Sequence, residues 1–459
     1  MQHQLDLTMI TQYLKDGQNS EAFKLLENLH PTEIVEILTP YSTEIIQAVL
    51  FRFPKQRRGA IFCELSDAEQ ADIAQLLETS DLVSLLRSLS PDDQVDLLKA
   101  LPDEQYNAVL PVLAKKERED LIKLASYPEG SAGAIMNTDY ISYPKHLLIQ
   151  EVLQRIRLER AQKEAIYRIY ILDNDRKLIG TLSVTDLILA NPTAKLSEVM
   201  KTKIVSIDVN ENKEEAVFMM ARYDLVALPV VDEFNTLLGN ITHDDALDVI
   251  EEKRTNDMER FMAIVGKHDD TTYLKTSIWT HFRKRVVWLI ILAFLGLISG
   301  SILESYEGTL TSLMILAFYM PMLIDTGGNT GSQAATVMVR ALALKEITPK
   351  NIFRIIWKEF RVSVMLALVL AILAFLRVVF ISNPGSIPEA FILTSIGVAI
   401  AVALAIQVVS ATVIGALLPL GAAALKLDPA LVASPALTTI VDITGLFIYF
   451  GTVSLMLGI

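Results

Sequence analysis

Apolar positions recur along this chain in three different rhythms, and each predicts a different architecture. From residue 286 onward, five segments (286–303, 310–339, 362–381, 391–424 and 430–459) stay apolar for about the ~20 residues a helix needs to cross a bilayer. The second, fourth and fifth exceed one plain span and contain Pro321, Pro419 and Pro435, which predicts kinks, breaks or strong tilt. Between residues 29 and 113 the rhythm is different. An apolar residue followed by a turn or cap pair returns every 12 residues, at Leu29, Tyr41, Phe53, Leu65, Leu77, Leu89, Leu101 and Leu113. Each unit reads as a two-turn helix opened by Ser, Thr or Pro, with acidic residues in its first turn. Short helices stacked in this way form a superhelical array around a continuous apolar seam.

The third rhythm is a duplication over 135–250. Asp173, Gly180 and Asp186 reappear 59 residues later as Asp232, Gly239 and Asp245. Upstream, Val199-Met200 followed by Ile204-Val205-Ser206 mirrors Ile135-Met136 followed by Tyr140-Ile141-Ser142, with a five-residue change in spacing. Each copy reads as strand, helix, β-branched strand, tight turn, strand and helix. These residues resemble a tandem CBS module, an α/β pair. Such pairs often bind adenine nucleotides, and the resemblance makes Asp186 and Asp245, at the start of each last helix, the residues for ribose hydroxyls. The alternative reading of either Asp is a helix cap.

Charge then divides the chain. The composition is 51% hydrophobic with a formal net charge of −13. Residues 286–459 hold eight basic and eight acidic residues, so the 33 basic and 46 acidic residues up to Arg285 carry the whole imbalance. An acidic polar part joined to a neutral apolar part excludes a single globular domain and a nucleic-acid binder. The first residues lack the basic and apolar regions of a signal peptide, and the single cysteine, Cys63, reads as a small buried apolar residue. Phe282-Arg-Lys-Arg285 precedes the first span and the 340–361 connection carries six basic residues, whereas 304–309 and 382–390 carry none. Positive loops stay in the cytoplasm, which places the polar half inside and the C-terminus outside.

Polar groups inside the apolar half point to function, because a mid-span charge costs ~2.5–3.5 kcal/mol even on the lenient insertion scale. Asp442 lies mid-span in the fifth segment with no cation on the same segment. Asp325 precedes a stretch whose glycines, at 327, 328 and 331, free the backbone to approach another helix or an ion. Arg377, near the outer end of the third span, reads as a snorkelling side chain, and Asp428 as a helix cap. The donors on offer are carboxylate, the amides of Asn329 and Gln333, the hydroxyls of Thr326, Thr330, Ser434 and Thr438, and backbone carbonyls. With no His or Cys in the five segments, this set favours a hard cation that keeps much of its water, with Mg²⁺ the natural candidate and Ca²⁺, Mn²⁺ or Co²⁺ open on composition. No nucleophile–base pair or zinc constellation suggests an enzyme.

Taken together, Tyr127-PEGSAGAIM136, the duplicated CBS pattern, Thr326-GGNTGSQ333, Asp428-PA and Asp442-ITGLFIYF450 resemble the MgtE family of magnesium channels and transporters over nearly the whole chain. The resemblance implies a multidomain protein: an all-α superhelical domain over 1–127, tandem CBS domains over 128–250 (about 135–198 and 199–250), a connecting or plug helix over 251–280 and a five-helix pore domain over 281–459. It implies a homodimer in the cytoplasmic membrane, with the second and fifth spans lining the pore and Asp442 as its Mg²⁺ ligand. Asn329, Thr438 and Asp325 accompany Asp442. It also implies closure by cytosolic Mg²⁺ bound at Glu214, Asp224, Asp245, Asp248 and Asp257, with Asp92 in the acidic run of the first domain. Lys253 and Asn256 depart from the family's carboxylates in the connecting segment. The rival reading is the same architecture moving another divalent cation, or coupling Mg²⁺ to a second ion.

Overall fold

The computed structural model describes residues 9–14, 18–159, 167–264, 276–383, 387–432 and 435–459. The chain forms two compact units, one built mainly from residues up to Lys253 and the other from Arg254–His268 and Ser277–Ile459.

In the first unit a helix at 9–14 (α1) and α2 (Asn19–Leu26) lead into a regular ladder: α3 (Pro31–Leu38), α4 (Thr43–Leu50), α5 (Lys55–Cys63), α6 (Asp67–Gln75), α7 (Thr79–Leu86), α8 (Pro91–Ala100), α9 (Asp103–Val109) and α10 (Lys115–Ala125). The first residues of α3 to α10 fall every 12 positions, as the pattern predicts. The residue two places before each helix turns inward, and Phe53, Leu65, Leu77, Leu89, Leu101 and Leu113 are all buried. Three helices then reach back to that residue's carbonyl: Arg58 donates to Phe53 O at 3.2 Å, Gln70 to Leu65 O at 2.8 Å and Gln94 to Leu89 O at 2.9 Å. The repeat is therefore held by an inward apolar side chain and a backbone-satisfying donor, which answers the need to pair buried carbonyls between short helices. Each helix packs on its second neighbour, α3 on α5 and α6 on α8, which winds the array.

The same unit holds the duplicated folds. β1 (Ile141–Pro144), α11 (Ile149–Glu159), β2 (Arg168–Leu172), β3 (Leu178–Ser183), α12 (Val184–Leu189) and α13 (Leu196–Val199) form the first. β4 (Ile207–Asp208), α14 (Lys213–Arg222), β5 (Ala227–Val231), β6 (Leu237–Thr242) and the start of α15 (His243–Phe261) form the second. Both sheets run in the order first, second, third strand, with a parallel then an antiparallel pairing. Even the bulges match, at Ile171/Leu172 and Val230/Val231. Asp173 and Asp232 each accept two backbone N–H groups across their hairpin turns, so these repeated aspartates are turn formers.

The second unit contains α16 (Ile278–Ser305), short α17 (Glu307–Ser312), α18 (Ile315–Ala343), α19 (Ile352–Ile381), α20 (Leu393–Ala424), short α21 (Pro429–Val432) and α22 (Pro435–Leu457). α20 is the hub and packs on α18, α19 and α22, while α16 touches mainly α22. Among the described residues, α16, α19, α20 and α22 are apolar enough to cross a membrane by composition. α18 has the length, 29 residues, but Asp325, Asn329 and their polar neighbours lower its hydropathy.

Several expectations change. The predicted second span is a short helix plus a long one, and the third begins ten residues early at Ile352, so part of the basic 340–361 connection is helical. Helix continues through Pro321 and Pro419, whereas Pro435 starts α22. No single helix spans 251–280: α15 runs on from the second CBS fold and ends at Phe261, and α16 starts at Ile278, with 265–275 outside the described residues. Arg377, exposed near the end of α19, has a partner on α18. It donates to the Tyr319 hydroxyl at 2.7 Å and stacks over that ring, and Tyr319 in turn bonds Ser382.

Candidate cation pathway and acidic interface

Helical spacing builds the first site. Asp325, Asn329 and Ser332 share one face of α18, and Thr438 and Asp442 share one face of α22, since residues three or four apart lie one above the other. These faces line a cavity of about 660 Å³, together with Gly328 and apolar side chains from α16 to α18. All four sequence-predicted pore residues thus come together. The volume would hold a cation with its inner water shell, roughly 200 Å³ at ~30 Å³ per water. Two carboxylates, an amide and hydroxyls suit a hard cation that retains water. Among the described residues no three His, Cys, Asp or Glu side chains converge as a direct ligand set.

The other polar groups of the motif divide by helix face. Gly327 and Gly331 turn to α20, where their missing side chains admit Gln407 and the Ala411 carbonyl. Gly328 meets nothing and opens to the cavity. Thr330 is buried and donates back to Thr326 O at 2.9 Å and Gly327 O at 3.1 Å, so its hydroxyl is a helix bond. Gln333 is exposed and Thr326 half-buried, and neither lines the cavity; Ser434 lies outside the described residues.

The second site lies within the first unit, between the start of α8 and the start of α15. Burial first, then the nearby Asp245 and Asp93 charges, hold the Asp92 carboxyl well above the usual range, and Asp92 Oδ1 is shielded from solvent without a hydrogen-bond partner. Asp245 is pushed up to about 6, chiefly by burial, although Thr242 donates to it from both backbone and hydroxyl. Asp248 is raised by burial and by Asp244, Glu251, Asp93 and Glu64. Three predicted regulatory residues, Asp92, Asp245 and Asp248, therefore share one acidic cluster. Asp93 belongs to the same acidic run as Asp92; sequence reasoning missed Asp244 and Glu64, which come from two separate elements. Cys63 is exposed, contrary to expectation. Its thiol donates to Asp93 at 3.2 Å, and the protein packed around that edge of the side chain, followed by the Asp93, Asp92 and Glu64 carboxylates, pushes its pKa up.

The remaining predicted residues stand apart from that cluster. Glu214 pairs with Lys253 at 2.8 Å, beside a second pair, Lys213 with Glu252 at 2.5 Å, so the lysine noted as a departure neutralises it. Asp224 is exposed in the left-handed region at φ 51°, closing α14, while Leu225 N–H reaches back to Met220 O at 2.9 Å. Asp257 sits on the part of α15 that belongs to the second unit. One turn on, Arg260 pairs with Asp428 at 2.8 Å, and Phe261 packs against Ala335, Leu437 and Val441. Asp428 also caps α21 through Ala430 N–H at 2.9 Å, as expected. Asp186 is held by Lys201 at 2.8 Å, which keeps its carboxyl below the usual range.

A bundle of long apolar helices with an open cavity on α18 and α22 that holds two carboxylates, on one chain with paired CBS folds and an acidic helical array, defines a membrane protein that handles cations. The comparisons then place the family. Divalent cation transporters of the MgtE family match residues 320–452, the MgtE intracellular N domain matches 29–130, and CBS domains match 132–192 and 196–252. The chain belongs to the MgtE family. It is 34% identical over 447 residues to magnesium transporter MgtE of Thermus thermophilus, covering 97% of each chain. It is 32% identical over 431 residues to magnesium transporter MgtE of Bacillus subtilis, covering 91% of this chain and 92% of that one. The solved cytosolic domain of the Mg²⁺ channel MgtE in complex with ATP matches 53% of this chain and 99% of its own, at 32% identity and a TM-score of 0.50.

Proposed function

We propose that this protein is a Mg²⁺ channel or transporter for magnesium uptake across the cytoplasmic membrane, gated closed by Mg²⁺ on the cytosolic side. The observation that carries the transport reading is the cavity where Asp325, Asn329, Thr438 and Asp442 meet. Carboxylate density there favours divalent over monovalent ions, and the amide and hydroxyls suit an ion that enters with water attached. A homodimer would double that density, which fits the little-covered surface of α16.

The acidic cluster supports the regulatory half. Carboxylates raised by burial and by one another repel when ionised, so the compact arrangement of α8 against α15 needs counter-charge. Bound Mg²⁺ would supply it and shift the population to the compact, closed form; loss of Mg²⁺ would release it. In this reading the functional divisions are a superhelical domain to about 127, CBS domains to about 250, a connecting segment from 251 to 280 and a pore domain from 281 to 459. Residues up to the connecting segment face the cytoplasm and the C-terminus faces outside. Lys201 beside Asp186 offers a cation and a ribose acceptor to an adenine nucleotide, in keeping with the ATP complex of the related cytosolic domain.

Flux in proteoliposomes tests this reading, with Mg²⁺ varied separately on each face. Asp442→Asn should abolish Mg²⁺ entry while the protein still folds. Equal flux of wild type and variant would sink it. Preferred passage of Ca²⁺, Mn²⁺ or Co²⁺, or dependence on a second ion, would establish the rival reading.

A further inference from the structure

One polar side chain in the second unit has no place in the pathway yet touches both helices that form it. Gln407 lies in α20 and is fully buried in a 32-residue helix that carries no charged side chain. Its amide fills the space left by two glycines, Gly327 of α18 and Gly445 of α22, and a Cβ at either would collide with it. Nε2 donates to Val441 O at 3.0 Å, the carbonyl of the residue before Asp442, and the Ser410 hydroxyl lies 3.5 Å from Oε1. Gly327 lies between Asp325 and Asn329 in sequence, and Gly445 is three residues after Asp442. One amide therefore meets both cavity helices at the level of their polar side chains. A buried amide amid apolar helices is costly unless bonded, and the bond that offsets the cost here runs to the backbone beside Asp442.

We propose that Gln407 is a positioning residue that sets the spacing and rotation of α18 against α22, and so the distance between the Asp325–Asn329 face and Asp442. Its bond to Val441 O fixes the rotation of α22. Its bulk between the two glycines fixes their separation, because a filled contact resists both closer approach and collapse. The inference rests on the reading of the cavity as the cation path.

The test uses the full chain in proteoliposomes with Mg²⁺ and Ca²⁺ as probes. Gln407→Leu keeps most of the volume and removes the donor. It should leave the melting temperature within a few degrees, raise the half-saturating Mg²⁺ concentration about three- to tenfold and weaken discrimination against Ca²⁺. A merely structural residue would lower stability and leave half-saturation and discrimination unmoved. Gly445→Ala should cut flux by about tenfold through overpacking, and Gln407→Ala in the same chain should restore most of it by clearing the space. The proposal is overturned if Gln407→Leu transports and discriminates as wild type, or if Gly445→Ala is folded and gains nothing from Gln407→Ala. Should Gly445→Ala not fold, the Gln407→Leu measurement decides alone. Asp442→Asn separates the two ideas: retained flux there defeats the cavity reading, whereas lost flux with an indifferent Gln407→Leu defeats only the positioning role.

Discussion

The cavity of the membrane unit and the acidic cluster of the first unit are both built on carboxylates, but their surroundings differ. Asp442 stands with Asp325 among an amide, hydroxyls and apolar walls, on helices pinned by glycines and Gln407. Asp92, Asp93, Asp244, Asp245 and Asp248 crowd together with one unpartnered buried oxygen. Sparse carboxylates in a rigid frame let an ion pass, because binding is favourable without being tight. Crowded carboxylates at a junction store repulsion, and an ion that relieves it changes which conformation is populated. In the function proposed above, the same side chain would serve permeation in one place and sensing in the other.

The sharpest way to break this contrast is to neutralise each side in turn. Asp442→Ala should lower Mg²⁺ flux by at least about 100-fold, since the cavity loses its mid-span charge, and flux assays read this directly. Asp245→Asn with Asp248→Asn should instead leave the open pore conducting and raise the Mg²⁺ needed for closure about tenfold. Unchanged protease protection and unchanged inhibition by Mg²⁺ in that double variant would remove the sensor role from these residues.

A pH series sharpens the contrast further. Asp92 and Asp245 have pKa values raised in the compact form, to about 6 for Asp245, so that form binds more protons than the separated one. Its stability therefore grows as pH falls through about 6 and is lost as pH rises above it. Without Mg²⁺, protection of the first unit from protease should increase between pH 7 and pH 5, and Asp92→Asn should flatten the change.

The smallest effect concerns Asp224. Gly at this left-handed position should stabilise the first unit by about 0.5–1 kcal/mol in thermal melts, with the Mg²⁺ response unaltered. A shifted Mg²⁺ midpoint would return Asp224 to the sensor.

The 12-residue rhythm was legible because each unit repeats one apolar anchor, and the structure starts a helix at every predicted step. The 59-residue duplication was equally legible, down to paired bulges and turn aspartates. Asp325, Asn329, Thr438 and Asp442 were brought together by the family resemblance, and the helices of the structure then put each pair on one face. Helix boundaries were less legible: Pro321 and Pro419 read as kinks, breaks or tilt, and the structure shows that helix continues through both. The partner of Arg377 was not legible, because the Tyr319 hydroxyl that receives it lies 58 residues away.

What the sequence alone determined is periodic or local: short stacked helices, two β-α-β-β-α copies, apolar spans, the half of the chain that carries the acid, and the polar residues set within apolar segments. These follow from hydrophobic spacing and from cost per residue, which neighbours in the chain suffice to set. Only the tertiary structure decided which carboxylates crowd one another, that Lys253 neutralises Glu214, that Lys201 holds Asp186 and that Gln407 meets both cavity helices. Those are contacts between distant segments, and one sequence carries no direct record of distance between side chains on separate elements.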